Sequence, residues 1–99
     1  MVSSISPAAL QQKISSQEDF QLIDVRELFE RNEFNIGGIH IPLQEIFEQV
    51  SLIESNKPVI LYCQKGIRSH IAIQRLQERY HFTNLINLEG GMNAWRKNC

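Results

Sequence analysis

VILYCQKGIRSHIAIQRLQERY, residues 59–80, decides how this chain folds. Val59–Tyr62 is continuously apolar, as a strand covered on both faces is. From Ser69 to Tyr80, Ala72, Ile73, Leu76 and Tyr80 recur on one helical face, while Gln74, Gln77, Glu78 and Arg79 fall elsewhere. A strand, a short loop and an amphipathic helix make the repeating unit of a parallel α/β sheet. In such sheets ligands bind beyond the carboxyl ends of the strands, and Cys63 stands just past one of them.

Outward from this unit the same alternation continues. SISPAALQQKI (4–14) predicts a helix capped by Ser6, with Pro7 at the first helical position and Leu10 and Ile14 one turn apart. FQLIDVR (20–26) predicts a strand that buries Leu22, Ile23 and Val25, and places Asp24 and Arg26 at its end. GIHIP (38–42) is a short extended piece closed by Pro42. Ile46, Phe47, Val50 and Ile53 fall at helical spacing, so residues 43–54 are expected to form a helix. NLINL (84–88) reads as a strand, EGG (89–91) as a turn and MNAWRK (92–97) as a last short helix. Strands alternating with helices predict a parallel sheet with helices on both faces.

The composition narrows the function classes. The 99 residues suffice for one domain, 1–99, with one modest core, and the 42% hydrophobic content argues against disorder. Ten Lys and Arg against eleven Asp and Glu leave a net charge of −1, so no basic face for nucleic acid is expected. Cys63 and Cys99 make neither a disulfide framework nor a metal spacing, and no metal or cofactor is expected. With no apolar signal core and no run near the roughly 20 residues of a membrane span, a cytoplasmic protein without membrane contact is expected. Without a heptad seam, a monomer is expected.

The loop after the strand has its own physics. The first N–H groups of the following helix have no intrahelical acceptor and point into residues 63–68. With the helix dipole they favour an anion there, Gly66 lets successive N–H groups turn inward, and Lys65 and Arg68 add positive charge. These surroundings favour the thiolate, the nucleophilic form of cysteine. The rival reading is a small, buried, inert cysteine.

LIDVRE (22–27), IP (41–42), LYCQKGIRS (61–69) and LEGGMNAW (88–95) occur in the order seen in rhodanese-like domains. Each is weak alone; together, at domain-sized spacing, they are specific, and the chain resembles that family over nearly its whole length. The resemblance implies a five-stranded parallel sheet flanked by helices and a catalytic Cys63. That cysteine would take up a sulfane sulfur as a persulfide and pass it to a nucleophile. Gln64, Lys65, Gly66, Ile67 and Arg68 would surround the sulfur with backbone N–H groups, and Lys65 and Arg68 would draw in an anionic donor such as thiosulfate. Ser69 would cap the next helix, Arg26 would hold structure through a carboxylate partner, and Asp24 would shape the floor of the site. The donor would be thiosulfate or a protein persulfide, and the acceptor a thiol, cyanide or a protein sulfur carrier, with a desulfurase as a further partner. Asn35 departs from the family, where histidine is common, and the stretch from DVRE to IP is shorter than usual.

Two other functions compete. Cysteine phosphatases and arsenate reductases also set a cysteine and an arginine in an anion loop, but with a longer interval than the four residues Gln64–Ile67. Non-catalytic binding modules of the family often lose the cysteine that this chain keeps. His40, His70 and His81 are expected to be non-catalytic, Cys99 a free terminal thiol, and Met92 and Trp95 packing residues. The acid-rich stretch Glu27–Glu33 is expected to be solvated surface.

Overall fold

The computed structural model describes residues 1–98, so Cys99 lies outside the described residues. Val59–Tyr62 is the fourth strand, β4, with all four side chains buried. Beside it lie β1 (Ser3–Ile5), β2 (Gln21–Asp24), β3 (Ile39–His40) and β5 (Leu85–Leu88). All pairings are parallel and the spatial order is β1-β5-β4-β2-β3.

Strand side chains alternate between faces, and β4 is apolar on both. Val59, Leu61 and then Cys63 pack with Ala72, Ile73 and Leu76 of the helix α3 (Ile67–Tyr80). Ile60 and Tyr62 pack on the opposite side with Leu10 of α1 (Pro7–Ser15) and Met92 of α4 (Gly91–Asn98), with Trp95 half-buried against them. Each fully buried aliphatic side chain is worth roughly 1.5–3 kcal/mol, so this packing places α3 more firmly than its own helix propensity does. Helix α1 begins as its sequence predicts, with Ser6 accepting from the Ala9 N–H at 3.1 Å and Pro7 next. Among the described residues, no helix is long and apolar enough to cross a membrane.

Three elements differ from the sequence expectation. Residues 43–54 do not form one helix but two 3₁₀ turns, Leu43–Glu45 and Val50–Leu52. Ile46 and Ile53 are buried as the helical pattern requires, but the backbone leaves helical geometry at Gln49 (φ −119°, ψ 24°). Gln21 then clamps the exit, donating to the Leu52 carbonyl at 2.8 Å and accepting from the Glu54 N–H at 2.9 Å. Apolar spacing reports which residues face the core, and successive turns meet that demand as a helix does. The second difference is β1, a three-residue edge strand of mostly polar residues that gains its structure by pairing Ser3–Ile5 with Ile86–Leu88. The third is a short helix α2 (Leu28–Glu33) inside the acid-rich stretch, where Glu27 and Glu30 close a reciprocal capping box.

Candidate active site around Cys63

Because the sheet is parallel, its carboxyl ends share one edge, and the chain turns there from β4 into α3. Gly66 makes the turn at φ +91°, in the left-handed region that favours glycine, and α3 opens at Ile67. The Cys63 side chain is 1% exposed, and its Sγ accepts from the Gly66 N–H at 3.1 Å and the Ser69 N–H and hydroxyl, each at 3.3 Å. The N–H groups of Gln64, Lys65, Ile67 and Arg68 have no protein acceptor among the described residues.

Ser69 therefore does not cap α3. The helix opens two residues earlier than its apolar spacing suggests, which places Ser69 in the first turn, fully buried and facing the sulfur. Its hydroxyl also lies 2.5 Å from the Asn87 Oδ1. One proton serves one of these two acceptors at a time. Asn87 in turn donates to the Gly66 carbonyl at 3.1 Å, tying the loop to β5. The sequence carried a signal for Asn87 that its reading missed: a polar residue at an inward position of NLINL.

The EGG segment does more than turn the chain. The Met92 and Asn93 N–H groups at the start of α4 donate to the Cys63 and Gln64 carbonyls at 2.9 and 3.0 Å. That approach requires Gly91, whose φ is +58°; a β-carbon there would stand 2.4 Å from the Cys63 carbonyl oxygen and 2.8 Å from Gln64 backbone atoms. Gly91→Ala is expected to destabilise the fold by about 2–3 kcal/mol through overpacking and backbone strain. It should also raise Cys63 alkylation by iodoacetamide, as the loop loosens. Urea denaturation and alkylation rates check this, and an unchanged midpoint with unchanged alkylation would show that the loop does not depend on the close approach.

Asp24 and Arg26 form a buried pair beside the loop, 0% and 2% exposed. The Arg26 Nε and a terminal nitrogen donate to the two Asp24 oxygens at 2.9 and 3.0 Å, and the Arg26 N–H adds a third bond at 3.0 Å. Burial opposes the Arg26 charge, but Asp24 more than offsets it and the pKa is raised above the ordinary arginine value. The same guanidinium donates to the Gln64 Oε1 at 3.1 Å and the Phe34 carbonyl at 2.7 Å, so the Gln64 side chain braces the loop. Gln64 also donates to the Asn93 Oδ1 at 2.7 Å. Tyr62 lies under Arg26, 5.5 Å from ring centroid to guanidinium, and burial pushes its phenol up to about 12.

At the mouth of the site Arg68 pairs with an acid of α2. Its two terminal nitrogens donate to both Glu30 oxygens at 2.8 Å, a bidentate pair between α3 and α2. Glu30 is thus no idle surface acid. It lines an open cleft of about 380 Å³ with Cys63, Gln64, Lys65, Ile67 and Arg68. The hydrogen bonds from Arg68 hold the Glu30 carboxyl down at about 2, against the cost of burial and with help from the Glu27 N–H. A depressed carboxyl stabilises the folded state fully above its ordinary value of 4.5 and loses that contribution as pH falls toward about 2. The stability difference between wild type and Glu30→Gln, from urea unfolding, is expected to hold constant above pH 4.5 and shrink below it. A difference that persists unchanged at pH 2 would refute the pair's contribution.

Of the residues expected around the sulfur, Gly66 reaches it by backbone, Ser69 by backbone and hydroxyl, and Ile67 stands 62% exposed at the rim. Lys65 is exposed and forms no ion pair among the described residues. His70 and His81 are exposed, and the His40 Nε2 lies 2.6 Å from the Arg26 carbonyl. Asn35 closes a local turn, accepting from the Gly37 N–H at 2.8 Å and donating to the Arg31 carbonyl at 3.0 Å.

A buried cysteine cradled by N–H groups at the carboxyl edge of a five-stranded parallel sheet defines a class of small α/β domains. The Rhodanese-like domain family matches residues 6–98, and the chain belongs to that family. It is 38% identical over 95 residues to a Bacillus subtilis (strain 168) protein named "Putative sulfurtransferase YtwF", covering 95% of this chain and 90% of that protein. It is 35% identical over 92 residues to "Putative sulfur carrier protein YrkF" of the same organism, 92% of this chain but only 49% of YrkF's length. The crystal structure of a rhodanese-related protein from Thermoplasma volcanium matches with a TM-score of 0.83 at 30% identity, covering 97% of this chain and 92% of that one.

Proposed function

We propose that the protein is a sulfurtransferase that carries a sulfane sulfur on Cys63. The thiolate attacks the outer sulfur of a donor, which is thiosulfate or a protein persulfide. The donor's S–S bond breaks, its electron pair leaves with sulfite or with the donor thiolate, and Cys63 becomes a persulfide. An acceptor nucleophile (a thiol, cyanide or a protein sulfur carrier) then takes the outer sulfur and returns the Cys63 thiolate. The observation that carries this reading is the Sγ held by the Gly66 and Ser69 N–H groups, with the Ser69 hydroxyl in reach, within a loop whose remaining N–H groups have no protein acceptor among the described residues. A terminal persulfide sulfur is a large, polarisable anion that such a cradle suits. Gln64, Lys65, Gly66, Ile67 and Arg68 form the binding loop in this reading, and Asp24, Arg26 and Ser69 support it.

Arg68 bears on the phosphatase alternative. An oxyanion-binding arginine must face the reacting sulfur, and this one is engaged by Glu30. A protein partner, either a persulfide-bearing desulfurase or a sulfur carrier, accords with the name of the relative YrkF. We further take the domain to act as a single unit over 1–99, as a monomer, in the reducing cytoplasm where a free thiol persists.

The test is an intact-mass measurement under non-reducing conditions after the reduced protein meets thiosulfate or an organic persulfide. Gain of one sulfur atom, lost again on adding cyanide with release of thiocyanate, is the expected result. No gain from any donor would overturn the reading.

A further inference from the structure

The reaction proposed above needs a donor, and the mouth of the site constrains its charge. Arg68 is the cation nearest in sequence to the loop's end, and each of its terminal nitrogens donates to Glu30, which offsets its charge. Glu30 is itself fixed twice more. Its Oε1 accepts the Glu27 N–H at 3.0 Å within the capping box, and it sits on α2, so it is held at the cleft independently of Arg68. The cleft therefore presents a charge-neutral Arg68–Glu30 pair, with Lys65 as the cation of the loop that makes no ion pair among the described residues. A dianion such as thiosulfate gains no net attraction from that pair, because the Glu30 charge offsets that of Arg68. An organic persulfide carries one charge at most on its sulfur and an apolar carbon beside it. Such a donor meets the exposed Ile67 side chain at the same rim.

We propose that Glu30 is the donor-specificity residue of this site: by engaging Arg68 at the mouth it disfavours dianionic thiosulfate and leaves Cys63 to organic persulfides. The inference rests on Cys63 being the sulfur acceptor. Transfer from such a donor balances without a further reagent. The Cys63 thiolate forms a bond to the outer sulfur of R–S–SH, the S–S bond of the donor breaks, and R–S⁻ leaves with the electron pair. The chemistry is common to a small thiol persulfide and to a persulfide on a protein cysteine, and the test separates them.

The experiment measures single-turnover sulfur uptake by intact mass from three donors: thiosulfate, cysteine persulfide, and a persulfidated peptide without acidic residues. It compares wild type with Glu30→Gln, which keeps the capping-box geometry while removing the charge. Wild type is expected to prefer either persulfide over thiosulfate, and whichever persulfide reacts faster names the source. In Glu30→Gln the ratio of thiosulfate to persulfide uptake is expected to rise about tenfold, as the charge of Arg68 is no longer offset. Thiosulfate uptake by the variant should also fall more steeply with added salt than in wild type, a signature of new charge attraction that a structural change alone would not produce. An unchanged ratio, with persulfide uptake intact, overturns the role of Glu30 and leaves the Cys63 reading standing. Absence of uptake from all three donors instead overturns the Cys63 reading.

Discussion

Cys63→Ser is expected to reduce sulfur uptake and onward transfer at least about a thousandfold, the scale on which loss of a nucleophile acts. Serine is close in size, and its oxygen can accept from the same Gly66 and Ser69 donors, so the loop keeps its bonds. What is lost is the chemistry: a hydroxyl ionises far less readily than a thiol and cannot hold a second sulfur. The comparison calls for intact mass after each donor, thiocyanate release on adding cyanide, and urea denaturation to show that the fold survives. Uptake retained by a folded serine variant would place the carrier sulfur elsewhere in the chain and sink the proposed mechanism.

Arg26→Met is expected to cost about 3–5 kcal/mol, the usual penalty for stranding one member of a buried ion pair. Asp24 is fully buried, and without Arg26 the one remaining cation at its carboxylate among the described residues is Arg31, a single contact at 3.3 Å from a partly exposed side chain. Gln64 and the Phe34 carbonyl lose their donor at the same time. Against the roughly 5–15 kcal/mol that stabilises a typical domain, such a loss takes a large share. Combining Arg26→Met with Asp24→Leu should recover part of it, since removing both charges leaves neither stranded. Urea unfolding of the single and double variants decides the matter. A single variant within about 1 kcal/mol of wild type would mean that water or Arg31 satisfies Asp24 and that the pair does not hold the floor of the site.

Contiguous residues made much of the fold legible. The unbroken apolar run Val59–Tyr62, the helical face of Ala72, Ile73 and Leu76, and the capped start at Ser6 and Pro7 each encode their element locally. The order of the motifs around Cys63 was enough to indicate the family, which the match over residues 6–98 bears out. Where local pattern was mute, the reading went astray. The spacing of Ile46 and Ile53 specified burial but not helix, and β1 had no apolar run to announce it.

The amino-acid sequence by itself therefore determined the strand-loop-helix unit, the parallel sheet and the place of Cys63 at its edge, because hydrophobic periodicity and loop composition act over adjacent residues. Only the tertiary structure decided which charges and hydrogen-bond donors meet. Arg68 finds Glu30 across 38 positions, Ser69 finds Asn87 across 18, and Gly91 admits α4 to the Cys63 carbonyl. Partners of that kind are chosen by how the layers pack and how closely the backbones approach, and neither property is written in a run of neighbouring residues.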